Sequence, residues 1–175
     1  MSDPVVRPVE DRDFGAIQAI YAEAVLNGSA SFELEPPTVE EMRGRQARLS
    51  ERGYPYLVAE LDARVAGFCY AGSFRGRPAY RRTVENSVYV AREFQRRGVG
   101  RALLDRLIRE CESRGFRQMI AVIGGQRNAA SVRLHERVGF ERVGVLRDVG
   151  WKFDAWQDVT LMQKRLGAAE SPIVR

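Results

Sequence analysis

Thr83-Val-Glu-Asn-Ser-Val-Tyr-Val-Ala-Arg-Glu-Phe-Gln-Arg-Arg-Gly-Val-Gly-Arg-Ala-Leu-Leu104 is the stretch on which the fold turns. Val84, Val88, Tyr89 and Val90 supply β-branched and aromatic residues suited to a packed, pleated surface. Val99, Leu103, Leu104, Leu107, Ile108 and Cys111 recur instead at helical spacing. The period changes between Gln95 and Gly100, which predicts a strand, a glycine turn and a helix. The first amides of such a helix lack intrahelical partners, and Gly98 and Gly100 carry no side chain to hold a ligand away from them. A turn of this kind suits a phosphate-bearing ligand.

Outward from this core, Gly115 stops the helix, and residues 118–123, Gln-Met-Ile-Ala-Val-Ile, predict a strand buried on both faces. Strand, helix and strand form a βαβ unit with parallel strands, whose ligands are expected beyond the strands' carboxyl ends. Upstream, residues 5–9 predict a short strand. Asp11 or Asp13 is placed to cap a helix carrying Phe14, Ile17, Ile20, Tyr21, Ala24 and Val25, ended by Gly28. Pro36-Pro37 forbids helix, and Thr38 with Glu41 predicts a capping box opening a mostly polar surface helix to about Arg52. Residues 56–60 and 64–74 predict an antiparallel pair joined by Leu61-Asp62-Ala63. Downstream, Asn128 is a candidate cap for a helix with Val132, Leu134, His135 and Val138, ended by Gly139. Residues 141–147 and 157–164 predict a closing hairpin. A single domain over residues 1–166 and a loose tail at 167–175 are expected.

A chain of 175 residues with 45% hydrophobic and 29% charged content is ordinary for a globular protein with a proper core. Its net charge of +5 comes from arginines scattered among acidic residues, without a basic block or interleaved aromatics, which argues against nucleic acid. No apolar run approaches the roughly 20 residues that a membrane helix needs. Cys69 and Cys111 are not spaced as a metal pair, so no metal is expected, and the start Met-Ser-Asp-Pro does not resemble a secretory leader. A reducing, cytoplasmic setting is expected, where the Asn27-Gly28-Ser29 sequon carries no meaning.

The glycine turn meets neither of two familiar phosphate patterns. Gly100 is followed by Arg101-Ala102, not by Lys and Ser or Thr, and no third glycine stands near Leu103. Gln95-Arg96-Arg97-Gly98-Val99-Gly100 fits a third pattern, Arg or Gln, two residues, Gly, one residue, then Gly or Ala. By itself the hexapeptide serves equally well as a corner that binds nothing. Beyond it, residues 128–140, Asn-Ala-Ala-Ser-Val-Arg-Leu-His-Glu-Arg-Val-Gly-Phe, supply a second segment, Asn followed by a short helix ending in Gly-Phe. The two ordered segments together resemble the GNAT acetyltransferase superfamily. Thr83-Val84-Glu85, Val88-Tyr89-Val90, Ala121-Val122-Ile123 and Ser131 through Glu136 resemble its phosphinothricin and methionine sulfoximine N-acetyltransferase branch, as do Ser31-Phe32-Glu33, Tyr54-Pro55 and Trp151-Lys152-Phe153.

This resemblance implies an α/β GNAT fold: a mixed, mostly antiparallel sheet of about seven strands, a parallel pair at the CoA cleft and about four helices. It implies acetyl-CoA as co-substrate, with Val88, Tyr89 and Val90 along the acetyl and pantetheine arm. The backbone of Arg96, Arg97, Gly98, Val99, Gly100 and Arg101 would then lie under the pyrophosphate, and Asn128 and Ser131 nearby. The helix dipole favours such an anion by about 0.3–1 kcal/mol. Asn128 serves equally as a helix cap. Glu85 resembles the branch's catalytic carboxylate; an unpaired carboxylate on a strand with apolar neighbours is costly unless it faces a cleft.

His135, the only histidine, stands where many superfamily members carry a tyrosine proposed to protonate the leaving thiol, and a packing or hydrogen-bonding role stands beside that one. Tyr89 and Tyr80 are alternative donors. Phe32, Glu33, Arg75, Arg77, Glu85, Asn86, Ser87 and Lys152 are the implied substrate residues, the two arginines as anion clamps or simply as surface cations. Arg81-Arg82 departs from the stretch usual in the branch.

The implied activity is direct acetylation of the free amine of phosphinothricin, methionine sulfoximine or methionine sulfone, with resistance to such compounds as its setting. A homodimer is implied, in which a second subunit can complete the site. An acetyltransferase for another amine, a protein N-terminus or a polyamine, is the first alternative; a non-catalytic CoA-binding module is the second.

Overall fold

The computed structural model describes residues 3–125 and 128–167, so the tail beyond Gly167 falls outside the described residues. Seven strands form one sheet in the order β1-β2-β3-β4-β5-β7-β6. They are β1 (Val5–Pro8), β2 (Tyr56–Leu61), β3 (Arg64–Ser73), β4 (Thr83–Val90), β5 (Gln118–Gly124), β6 (Glu141–Lys152) and β7 (Ala155–Arg165). The helices are α1 (Phe14–Asn27), α2 (Val39–Glu51), α3 (Val99–Ser113) and α4 (Ala129–Arg137). Among the described residues only β4 and β5 pair in parallel, with α3 as their crossover, and the other pairings there are antiparallel.

Side chains that alternate along each strand divide the core into two layers. On one face, Ala71, Val84, Met119 and Ala121 pack against Val99, Leu103, Leu104 and Leu107 of α3, and Val132 of α4 joins them. On the other, Tyr56, Val58 and Phe68 pack against Phe14, Ile17, Tyr21 and Val25 of α1 and Met42 of α2. α2 buries only Met42, as its polar sequence predicts, and Thr38 and Glu41 form the expected capping box. Burying two methionines, Met119 and Met162, on adjoining strands β5 and β7 ties the hairpin to the centre of the sheet.

Three local expectations are corrected. Neither Asp11 nor Asp13 caps α1 through its side chain: buried Asp13 reaches back to the Glu10 amide and pairs with Arg7, while Asp11 pairs with Arg43. Local spacing could not reveal those ionic partners. Asn128 occupies the N-cap of α4 without a side-chain capping bond, because its amide instead donates to the Gly124 carbonyl at 2.6 Å. The terminal hairpin is longer than expected, reaching Lys152 and starting again at Ala155 after a turn with positive φ at Phe153 and Asp154. Residues 141–149 are exposed on both faces, so no alternation of burial marked the extent of β6.

Candidate active site

β4 and β5 pair only from Thr83↔Gln118 to Asn86↔Ala121. Beyond that point β4 stays on β3 as far as Gly67↔Val90, and β5 stays on β7 as far as Gly124↔Val159. The two strands therefore part, and the wedge between 87–90 and 122–124 opens a cavity of about 400 Å³. Parallel strands that separate leave backbone donors and acceptors facing the gap, which must be met by solvent or ligand.

The turn that follows continues the wedge. Gly98 adopts φ +83°, a conformation that strains other residues, and a Cβ there would meet nothing within 4 Å. The first backbone bond into α3 is Ala102 N–H to Gly98 O, so the amides of Val99, Gly100 and Arg101 form the open N-terminus of a 15-residue helix. Val99 itself is buried and offers only its backbone. Arg97 pairs with Asp62 at 2.8 Å and Arg101 with Asp105 at 3.5 Å, so these cations are shared with carboxylates. Arg96 is exposed, with φ +60°. Open amides beside an unobstructed glycine fit a pyrophosphate, and the unpaired strand edge fits an extended amide-bearing arm; the residues present therefore accommodate acetyl-CoA.

The two catalytic candidates lie on opposite sides of β4. Glu85, Ser87 and Tyr89 point to the α1 side, where Tyr89 stacks on Phe68 and meets Tyr21 edge-on. Asn86 and Val88 point to the α3 and α4 side, where Asn86 meets His135. Both sets reach the cavity because the sheet is open there. Glu85 is partly buried, and burial raises its carboxyl above the usual glutamate range, which makes it a stronger base when ionised. Its register partner on β3 is Gly72, which leaves room over the carboxylate. His135 is 2% exposed. Burial pulls its imidazole below the ordinary range, opposed by the bond to the Ser131 backbone.

A roof closes the acceptor side. Ala30, Ser31, Phe32 and Glu33 line the cavity from the segment between α1 and α2. Glu33 accepts from Arg45 at 2.6 Å and from the Tyr21 hydroxyl at 2.9 Å. The Phe32 ring sits where a Cβ on Gly124 would stand 2.6 Å away and one on Gly150 would overlap it, so two glycines form its seat. Lys152, expected to contact substrate, does not line the cavity. Its buried ammonium donates to Gly28 O at 2.9 Å and Ser31 O at 2.7 Å, and so fixes the roof from behind. Arg75 and Arg77 are exposed in the loop before β4, outside the cavity lining, with Arg75 over the Phe74 ring. Tyr80 shares that loop, edge-on to Phe74. Tyr21, Arg45 and Val122 were not foreseen; the first two act through Glu33, a contact between segments, and Val122 is a strand valine exposed only because the ladder ends beside it.

Among known proteins, residues 6–161 match the family described as Acetyltransferase (GNAT) domain. The chain is 49% identical to a phosphinothricin N-acetyltransferase from Alcaligenes faecalis, over 96% of this chain and 85% of that one. It is 38% identical to an L-methionine sulfoximine/L-methionine sulfone acetyltransferase from Salmonella typhimurium, over 95% of this chain and 97% of that one. The crystal structure of a phosphinothricin acetyltransferase from Sinorhizobium meliloti in complex with AcCoA superposes with a TM-score of 0.92 at 42% identity, over 95% and 90% of the two chains. The split β4-β5 ladder, the open turn before α3 and these likenesses agree: the chain belongs to the GNAT acetyltransferase family.

Proposed function

We propose that this N-acetyltransferase transfers the acetyl group of acetyl-CoA directly to the free amine of small amino-acid analogues of the phosphinothricin, methionine sulfoximine or methionine sulfone type. The observation that carries this reading is the wedge itself: an unpaired strand edge runs to the open amides before α3, and Glu85 stands at its root on the roofed side. Its closest support on the substrate side is the family of relatives named above for these compounds.

Acetyl-CoA, when bound, supplies an acetyl thioester. The amides of residues 99–101 and the edge of Val88–Val90 hold the donor in line, which replaces a chance encounter by a fixed one. Glu85 takes a proton from the substrate ammonium, directly or through water, and so frees the nitrogen lone pair to attack the thioester carbonyl; as the C–N bond forms the C–S bond breaks, CoA leaves as its thiolate, and the proton lost by the new amide nitrogen makes up the free thiol. Phe32 and the Glu33–Arg45 pair confine the amine beneath the roof, and Arg75 and Arg77 offer cations to the substrate's anionic groups from the adjoining loop. Cys69 and Cys111 are both buried, and burial raises both thiols, that of Cys111 to about 12, which supports direct transfer over a covalent cysteine intermediate. Two unpaired buried thiols also support a reducing, cytoplasmic setting.

A thiol-release assay with the three analogues tests this directly. Turnover of at least one is expected; turnover only with a peptide N-terminus or a polyamine would replace the substrate, and acetyl-CoA binding without any turnover would make the chain a binding module.

The same reading includes a homodimer formed along the β6–β7 hairpin. Val143, Val145, Leu146, Val149, Trp151 and Trp156 are exposed there on the edge strand and its neighbour, a surface that a second copy related by a twofold axis would cover. Light scattering should give a dimer for the wild type and a monomer for the Val145→Glu, Trp151→Glu variant. A monomeric wild type at tens of micromolar would discard it.

A further inference from the structure

Asn86 is the last residue of β4 in the parallel ladder, and its side chain is held on both sides. Its Nδ2 donates across the gap to Ile120 O on β5 at 3.1 Å, and its Oδ1 lies 3.0 Å from His135 Nε2 on α4. The donor to Ile120 fixes which end of the amide is oxygen, because a carbonyl oxygen in that place would face another carbonyl. His135 Nε2 must therefore donate to Asn86. The other ring nitrogen, Nδ1, lies 2.8 Å from Ser131 O, a carbonyl that only accepts, so the ring meets both partners by donating from both nitrogens; the Ser131 hydroxyl stands farther off, at 3.5 Å. Phe140 packs edge-on against the ring. Both nitrogens of the His135 ring thus have protein partners, with Nε2 facing Asn86, at the edge of the cavity that both residues line.

These contacts lie where the two strands part. An ordinary parallel ladder would continue past Asn86, and closing it by one more pair would consume backbone groups that the donor substrate needs. A side-chain bond from Asn86 to Ile120 holds β5 at a fixed distance at that point, and His135 holds the amide that makes the bond. We propose that His135 is a positioning residue that acts through Asn86: the His135–Asn86–Ile120 chain pins the apex of the wedge and sets the spacing of the two strand edges that receive the acetyl-CoA arm. This rests on the acetyl transfer reading above.

The distinguishing measurement is acetyl-CoA affinity by calorimetry beside kcat at saturating substrates. Asn86→Ala and His135→Phe should each weaken acetyl-CoA binding roughly tenfold, the scale of one buried hydrogen bond with an unsatisfied partner. The double variant should be no weaker than the worse single one, because both remove the same chain of contacts. His135→Gln, whose amide can still donate to Asn86, should restore most of the affinity. Additive losses, or a His135→Gln enzyme with normal affinity and a kcat loss comparable to that of His135→Phe, would overturn the proposal, the latter in favour of a proton-donor role. Where His135→Phe fails to fold, Asn86→Ala decides alone, and unchanged affinity there overturns the proposal. No acetyl-CoA binding by the wild-type chain would overturn the acetyl transfer reading itself, and the pin with it.

Discussion

Glu85→Gln is expected to lower kcat by about 10²- to 10⁴-fold, the usual contribution of a positioned general base, with the dissociation constant of acetyl-CoA unchanged. The same variant should melt at a higher temperature than the wild type. Burial raises the Glu85 carboxyl above its ordinary value, so the folded state holds that proton more tightly than the unfolded chain does. Ionisation therefore costs stability at every pH above the ordinary glutamate range, and glutamine removes that cost. The difference in melting temperature should close as the pH falls to where Glu85 is protonated in both states. Turnover and the melting curve move in opposite directions only if the carboxylate is kept for chemistry. Equal losses of turnover and cofactor affinity, or a lower melting temperature at neutral pH, would make Glu85 a structural residue.

Lys152→Met is expected to have the second largest effect, through the roof. The methionine keeps most of the packed stem but leaves Gly28 O and Ser31 O without their donor, each at a cost of about 1–3 kcal/mol when buried. Relief of the desolvated ammonium, which burial pulls below the usual lysine range, offsets part of this. A net loss of about 2 kcal/mol lowers the melting temperature by about 4–8 °C in a chain of this size. Phe32 and Glu33 are then held only by their glycine seat and by Arg45 and Tyr21. The amine KM should rise about tenfold or more, whereas acetyl-CoA affinity, set on the other side of the sheet, should hold. An unchanged amine KM would remove Lys152 from the acceptor site altogether.

What the sequence shows of this molecule follows from the range of the interactions concerned. The capping box at Thr38 and Glu41 spans three residues and is local, as is the change of period that opens α3 at Gly98. The same holds for the β4-α3-β5 unit, in which the alternation and the apolar run each declare their strand. By contrast, Lys152 reaches carbonyls more than a hundred positions earlier, and Asn86 meets His135 across forty-nine. Nothing at Lys152 distinguishes a lysine that touches substrate from one that holds the loop behind it. Asn128 illustrates a nearer failure: the residue type suits a cap through its Oδ1, but its Nδ2 donates to Gly124 O, only four residues away, and no capping bond is made. The long terminal hairpin escaped for a third reason, since a strand exposed on both faces has no burial pattern to betray its length.

β4 runs beside β3 from Ser73↔Val84 to Gly67↔Val90 without a break in register, whereas the β2–β3 and β6–β7 pairings both carry irregularities. Even and odd positions on this strand face opposite layers: Glu85, Ser87 and Tyr89 point to the α1 side, and Val84, Asn86 and Val88 to the α3 and α4 side. Inserting or deleting one residue there would exchange the two sets at a stroke, turning Glu85 into the packed interior and bringing an apolar neighbour to the proton. Parity along eight residues is thus the address system of this strand, whereas an added residue in a loop or in the hairpin would change a contour and not an assignment.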